Sequence, residues 1–353
     1  MTPLEALIRD RVSRGPLTVE AFMALALAHP EHGYYATRDP LGAAGDFVTA
    51  PEISQMFGEL VGAWAAQVWA DQGRPDPFVL AELGPGRGTL MRDALRAAAG
   101  MPGFRDAARL WLVETSPALR RLQAKALAAA APSWAPRVDV LPDAPLIVVA
   151  NEFFDALPIR QYQRADALWR ERLVALDADR LAYRWGPPRP DAGLDARFPR
   201  VPDGTLVELN PTGEAVAARL GGCIAARGGA ALLIDYGARD GTGDTLQALR
   251  RHAPADPLDA PGTADLTAHV GFGALARAAR PARAYGPIGQ GAFLEALGIT
   301  ARASALARGR DGPELDAIVA AHRRLTHPDE MGNLFQVLAL APDGAPTPPG
   351  FGR

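Results

Sequence analysis

Cysteine is nearly absent: Cys223 stands alone among 353 residues, so no intramolecular disulfide can form and no cysteine-based metal site can be assembled. Its expected role is that of a small buried apolar side chain. Long apolar runs are also missing. Nowhere do about 18 apolar residues follow one another, which excludes an apolar membrane-spanning helix. The first ten residues mix acids and bases, unlike a signal peptide or an obvious transit peptide. Neither charge sign dominates. The net charge is −3, and the basic residues are scattered singly, so neither nucleic acid nor an anionic membrane is an expected partner. With 48 % hydrophobic and 22 % charged residues, the composition is that of an ordinary globular protein, and a reducing cytoplasm is the expected compartment.

What is present is concentrated in one stretch. Phe78-Val-Leu-Ala-Glu-Leu-Gly-Pro-Gly-Arg-Gly-Thr-Leu90 reads as a buried strand, a turn with glycines at 84, 86 and 88, and the start of a helix. Such a turn lets the backbone approach a ligand while the helix presents its N-terminal N–H groups. The spacing is G-x-G-x-G with no following Gly-Lys-Ser/Thr, which disfavours a phosphate-binding loop of the Walker type. A second strand ends in Glu114, placed to accept hydrogen bonds from both ribose hydroxyls of a nucleoside. Glu82 discriminates between cofactors: a carboxylate beside the cofactor's centre suits a cationic methionyl group and repels a pyrophosphate. S-adenosylmethionine is therefore expected, with Glu82, Gly84, Pro85, Gly86, Gly88 and Glu114 around it.

Strands and helices alternate through the middle of the chain, with strands near 78–82, 109–114, 137–140 and 146–150. This pattern predicts a doubly wound parallel α/β sheet whose ligands bind at the carboxyl ends of the strands. Residues 1–75 read as a helical and lid region. Residues 76–158 and 228–341 form the cofactor-binding domain, 159–227 an inserted substrate-side segment with a β-rich hairpin, and 342–353 a tail. No internal repeat is found.

The segment Val149-Ala-Asn-Glu-Phe-Phe-Asp-Ala-Leu-Pro158 places Asn151, Glu152 and Asp155 directly after a buried strand, where they can orient a nitrogen nucleophile. Asp46, Thr49 and Glu52 lie on a Gly/Pro-rich stretch able to close over cofactor and substrate. Asp235, at the end of a later strand, and His269 are candidates for the substrate side. Asp265 is expected to cap a helix there. No metal site is expected, since His252 and His269 lack ligand spacing.

With these segments together, the chain resembles the MidA family of class I S-adenosylmethionine-dependent methyltransferases. The matching blocks include Gly33-Tyr-Tyr, Gly45-Asp-Phe-Val-Thr-Ala-Pro-Glu52, Glu82-Leu-Gly-Pro-Gly-Arg-Gly88, Asn151-Glu-Phe-Phe-Asp-Ala-Leu-Pro158, Gly243-Asp-Thr-Leu-Gln247 and Asp265-Leu-Thr-Ala-His269, and coverage runs from about 33 to 340. Gly271 and Gln336 depart from the family pattern, which has an aspartate and a lysine there. The resemblance implies a seven-stranded sheet with an antiparallel last strand, a protein arginine as methyl acceptor, and a respiratory complex I subunit as its bearer. A homodimer is among the oligomeric states left open. For such an acceptor, Glu152 and Asp155 are the expected catalytic carboxylates, with Asn151 beside them. Two readings of other classes remain: an assembly chaperone that keeps the fold without catalysis and, less favoured, an NAD-linked oxidoreductase.

Overall fold

The computed structural model describes residues 1–37 and 49–352. Its central feature is a sheet whose strands we label β1 (Phe78–Leu83), β2 (Ala108–Val113), β3 (Ser133–Ala135), β4 (Leu146–Asn151), β5 (Gly229–Ala238), β6 (Arg283–Gly289) and β7 (Phe335–Ala341). Their spatial order is β6-β7-β5-β4-β1-β2-β3, and the two-residue strand Val270–Gly271 pairs alongside the end of β5. β1 to β5 run parallel, whereas β7 runs antiparallel to both neighbours. Every residue of β1 and β4 is buried, as required of strands covered on both faces.

Helices cover the two faces. On one, Gln55–Asp71 packs against Thr89–Ala98 over Phe78, Leu80, Leu112, Ile147 and Val149; on the other, Pro211–Arg227 and Phe272–Ala278 cover Val79, Ala81, Val148, Leu233 and Leu338. A third core lies outside the sheet. There the helices Pro3–Ser13 and Val19–Ala28 bury Leu4, Ile8, Phe22 and Met23 against Ile159, Val174, Ala248 and Leu266. Arg160–Ala165, Leu168–Asp177, Arg180–Trp185, Leu206–Leu209 and Leu17–Thr18 form a five-stranded sheet beside it.

The packing divides the chain differently from the expected boundaries. Gln55–Asp71 and Pro211–Arg227, assigned by sequence to the N-terminal region and the insert, seat their apolar faces on the central sheet. The N-terminal helices share a core with strands of the insert and with residues 246–268 instead. Residues 137–140 do not form the expected strand: Val138–Val140 is a 3-10 turn, and Ser133–Ala135 takes the edge position ahead of Pro136, which has no N–H to donate to a ladder. Asp265 does not cap a helix. Asp265–Thr267 is a fully buried strand paired antiparallel to Gln247–Arg250, and the helix begins only at Phe272. Among the described residues no helix is long and apolar enough to cross a membrane.

Candidate active site

The carboxyl ends of β1, β2, β4 and β5 open into one cavity of 940 Å³, a volume suited to a cofactor together with part of a second reactant. Its base is the turn after β1. Gly84 has φ +62°, a conformation that favours glycine, and a Cβ there would lie 3.1 Å from Cδ2 of Phe153, tight against its ring. Gly84, Pro85 and Gly86 line the cavity. Gly88 is not in its wall: it is the left-handed cap of Thr89–Ala98 and is backed by Leu127.

Glu82 lines the cavity while remaining only 3 % exposed, and its Oε2 makes no hydrogen bond within the protein. Burial pushes its pKa up to about 8. A carboxyl so placed is stabilised by a cationic group and would be opposed by a phosphate. At the end of β2, Glu114 Oε1 accepts the N–H groups of Thr115 and Ser116 at 2.8 and 2.7 Å. Its Oε2 accepts Nε2 of Gln123 at 3.2 Å. Gln123 is fully buried and also donates to the Gly86 carbonyl at 2.7 Å, so it ties the glycine turn to this acid. Burial raises the Glu114 pKa, and these hydrogen bonds oppose the rise.

Asn151, Glu152 and Asp155 come together in the wall formed by the end of β4. Glu152 has φ +51°, a strained conformation for a residue other than glycine, imposed at the point where the strand breaks into the cavity. Its Oε1 accepts the Ala50 N–H at 3.0 Å and Nδ2 of Asn151 at 2.9 Å. Burial pushes Glu152 up to about 7, and the neighbouring Asp155 adds to the shift. Asp155 is likewise raised by burial, against a hydrogen bond from the Tyr236 side chain. Asn151 is 8 % exposed, and its Oδ1 makes no hydrogen bond within the protein.

Asp235 proves to be a buried anchor rather than part of the wall. Its Oδ2 accepts the N–H groups of Phe153, Phe154 and Asp155 at 3.2, 2.9 and 3.2 Å, holding the loop that carries the catalytic candidates. His269 does not line the cavity either; it is exposed, with its ring edge-on to Tyr236 at 5.5 Å. Thr49 and Glu52 do line it, and Thr89 Oγ1 donates to Glu52 Oε1 at 2.6 Å, which clasps the Ala50–Ile53 turn onto the helix after the glycines. Asp46 lies outside the described residues. Tyr35 and Asp265, which sequence reasoning did not place in the site, also line the cavity; the Gly33-Tyr-Tyr block carried Tyr35 unassigned, and Asp265 was read as a helix cap.

These residues fit S-adenosylmethionine. Gly84, Pro85 and Gly86 would hold the methionyl end beside the unpartnered Glu82, and Glu114 the ribose; the bound cofactor would supply an electrophilic sulfonium methyl.

Comparison with known proteins agrees with this fit. Residues 60–288 match the family described as "Putative S-adenosyl-L-methionine-dependent methyltransferase". The mitochondrial protein arginine methyltransferase NDUFAF7 of Bos taurus is 38% identical, with 97% of this chain and 84% of the relative covered. Its Homo sapiens counterpart is 37% identical, with 94% and 81% covered. A crystal structure of a Burkholderia thailandensis protein bound to S-adenosyl-homocysteine superimposes with a TM-score of 0.82 at 28% identity, covering 98% of this chain and 93% of that one. The cytoplasmic placement expected from the sequence is overturned, since the curated relatives are named as mitochondrial. A lone cysteine excludes an intramolecular disulfide in any compartment and so does not discriminate between compartments.

Proposed function

Since the chain belongs to the family of S-adenosyl-L-methionine-dependent methyltransferases, we propose that it methylates an arginine side chain of a protein, with a respiratory complex I subunit as the acceptor. The observation that carries this reading is the pair Glu152 and Asp155, two enclosed carboxyls in one wall of the cavity that also holds the glycine turn. The curated relatives bear the name protein arginine methyltransferase, and the resemblance to the MidA family points to complex I.

A guanidinium stays protonated up to a pKa above about 12, so it meets the donor as a second cation. Glu152 and Asp155 offset that repulsion and align one nitrogen, which must lie roughly 3 to 3.5 Å from the methyl carbon. Asn151 orients Glu152 through its amide N–H, and Asp235 holds both acids in place by fixing the loop backbone. With its pKa lifted to about 7, Glu152 is matched to accept the proton released as the N–C bond forms. Glu52 and Thr49 act from the clasped turn on the acceptor's approach.

The test uses protein extract from cells lacking this gene, which retains unmethylated acceptor, with purified protein and labelled methyl donor. Label recovered on arginine of a complex I subunit is the expected result. Label confined to another residue type would overturn the arginine reading.

A further inference from the structure

Behind the wall that carries Gly86 and Glu114 stand two side chains that do not themselves line the cavity, Gln123 and Trp134. Gln123 belongs to the helix Pro117–Ala126 and is fully buried. Its Nε2 donates to the Gly86 carbonyl at 2.7 Å and to Glu114 Oε2 at 3.2 Å, while its Oε1 accepts Nε1 of Trp134 at 2.8 Å. Both amide hydrogens and the amide oxygen are thus engaged. Trp134 is half-buried on the edge strand β3, opposite Leu112 of β2. An indole N–H can only donate, so it faces the amide oxygen and fixes which end of the amide meets Gly86 and Glu114. Turned over, the amide would set its oxygen against a carbonyl and a carboxylate and leave the indole without an acceptor.

The same helix grips Glu114 at other points. Arg120, three positions before Gln123 and on the same helix face, donates from Nε to the Glu114 carbonyl at 2.9 Å. Glu114 Oε1 is held by the N–H groups of Thr115 and Ser116, and Gln123 holds Oε2, so the carboxylate is fixed at both oxygens. An apolar side chain of similar length would fill the space that Gln123 occupies. What the amide adds is a bridge: one hydrogen goes to the turn placed for the donor's methionyl end, the other to the acid placed for its ribose. A site whose two parts are joined in this way is set before the donor arrives, which lowers the cost of ordering it on binding.

We infer that Gln123, with its amide set by the Trp134 indole, is a positioning residue that locks the glycine turn and the ribose acid into one donor-binding unit. It acts through Gly86 and Glu114 and touches neither donor nor acceptor. The link serves the donor alone and is the same whichever side chain accepts the methyl.

The test measures the dissociation constant for S-adenosyl-homocysteine by calorimetry, together with the ligand-free melting temperature. The proteins compared are the wild-type full chain, Gln123→Met, Trp134→Phe, Glu114→Ala, and Glu114→Ala combined with Gln123→Met. Gln123→Met keeps the length of the side chain and removes both donors, so the constant is expected to rise about tenfold or more, for two hydrogen bonds of which one meets a charged group. Trp134→Phe leaves Gln123 in place but frees its amide to turn, and raises the constant about threefold. Because Gln123 works in part through Glu114, the double variant loses less affinity than the product of the two single losses. Unchanged affinity in Gln123→Met or in Trp134→Phe overturns the inference, and so does a double variant whose loss equals that product. A lower melting temperature with wild-type affinity, measured where the variant is folded, makes Gln123 a packing residue and overturns it too. If Gln123→Met does not fold, Trp134→Phe decides alone by the same measurement. Wild-type protein without affinity for S-adenosyl-homocysteine would remove the donor site itself.

Discussion

Glu152 Oε1 accepts the backbone N–H of Ala50 at 3.0 Å, so the acid at the end of β4 and the turn that precedes the sheet's first helix are one unit. Ala50–Ile53 is held from two sides, by Glu152 at its start and by Thr89 through Glu52. The carboxylate assigned to the chemistry therefore also sets the position of the segment closing over it.

Glu152→Gln keeps the size and the acceptor oxygen of the side chain but removes its charge and its ability to take a proton. Turnover should fall by about 10² to 10⁴, the usual worth of a positioned acid or base, while S-adenosyl-homocysteine affinity stays within about threefold. Calorimetry alongside a labelled-methyl assay measures both, and unimpaired turnover would remove Glu152 from the reaction.

Glu114→Ala acts on the other half of the cavity. Without the carboxylate the ribose loses its acceptor and Gln123 loses one partner, so the dissociation constant for S-adenosyl-homocysteine should rise by about tenfold or more. Turnover at saturating donor should be less affected. An unchanged constant in calorimetry would place the ribose elsewhere.

Glu82 links the cavity to pH-dependent stability. Its folded pKa is raised from 4.5 to about 8, so the folded protein retains a proton that the unfolded chain releases. The resulting destabilisation is absent below the unfolded value, grows as pH rises, and is complete above the folded one. Ligand-free Glu82→Gln should match the wild type in melting temperature near about pH 4.5 and exceed it by a few degrees above about pH 8. Parallel melting curves for the two proteins across this window would show that Glu82 is not buried as a neutral acid.

Gly62 tests the packing beneath the site. It lies where Gln55–Asp71 crosses Thr89–Ala98, and a Cβ there would stand 2.2 Å from the Ala94 carbonyl oxygen. Gly62→Ala must push the two helices apart and should cost at least about 1–3 kcal/mol, readable in denaturant unfolding. A variant as stable as the wild type would mean that the helices are less closely packed than described.

The glycine-turn side of the cavity was legible because its signals are local. Continuous apolar residues in β1 and β4, followed by glycines or acids, specify buried strands, and Glu82, Gly84 and Glu114 line the cavity at the strand ends. Asp235 and His269 were misplaced for a different reason: proximity to a strand end does not tell which way a side chain turns, and Asp235 turns toward backbone N–H groups. The core outside the central sheet depends on pairings between distant segments, such as Leu17 with Val174 and Gln247 with Thr267, which no short window contains. β6 escaped notice because Pro287 and a register shift between Tyr285 and Ile288 interrupt its alternation, and an edge position tolerates both.

The glycine turn, Glu114 and the paired acids Glu152 and Asp155 share one uninterrupted hollow rather than occupying separate chambers. A single synthetic compound bearing adenosine at one end and a guanidine at the other could therefore span from the glycine turn to the paired acids within one hollow. Joining the two fragments would spare the second its own loss of free motion, so the joined compound should hold far more tightly than either piece.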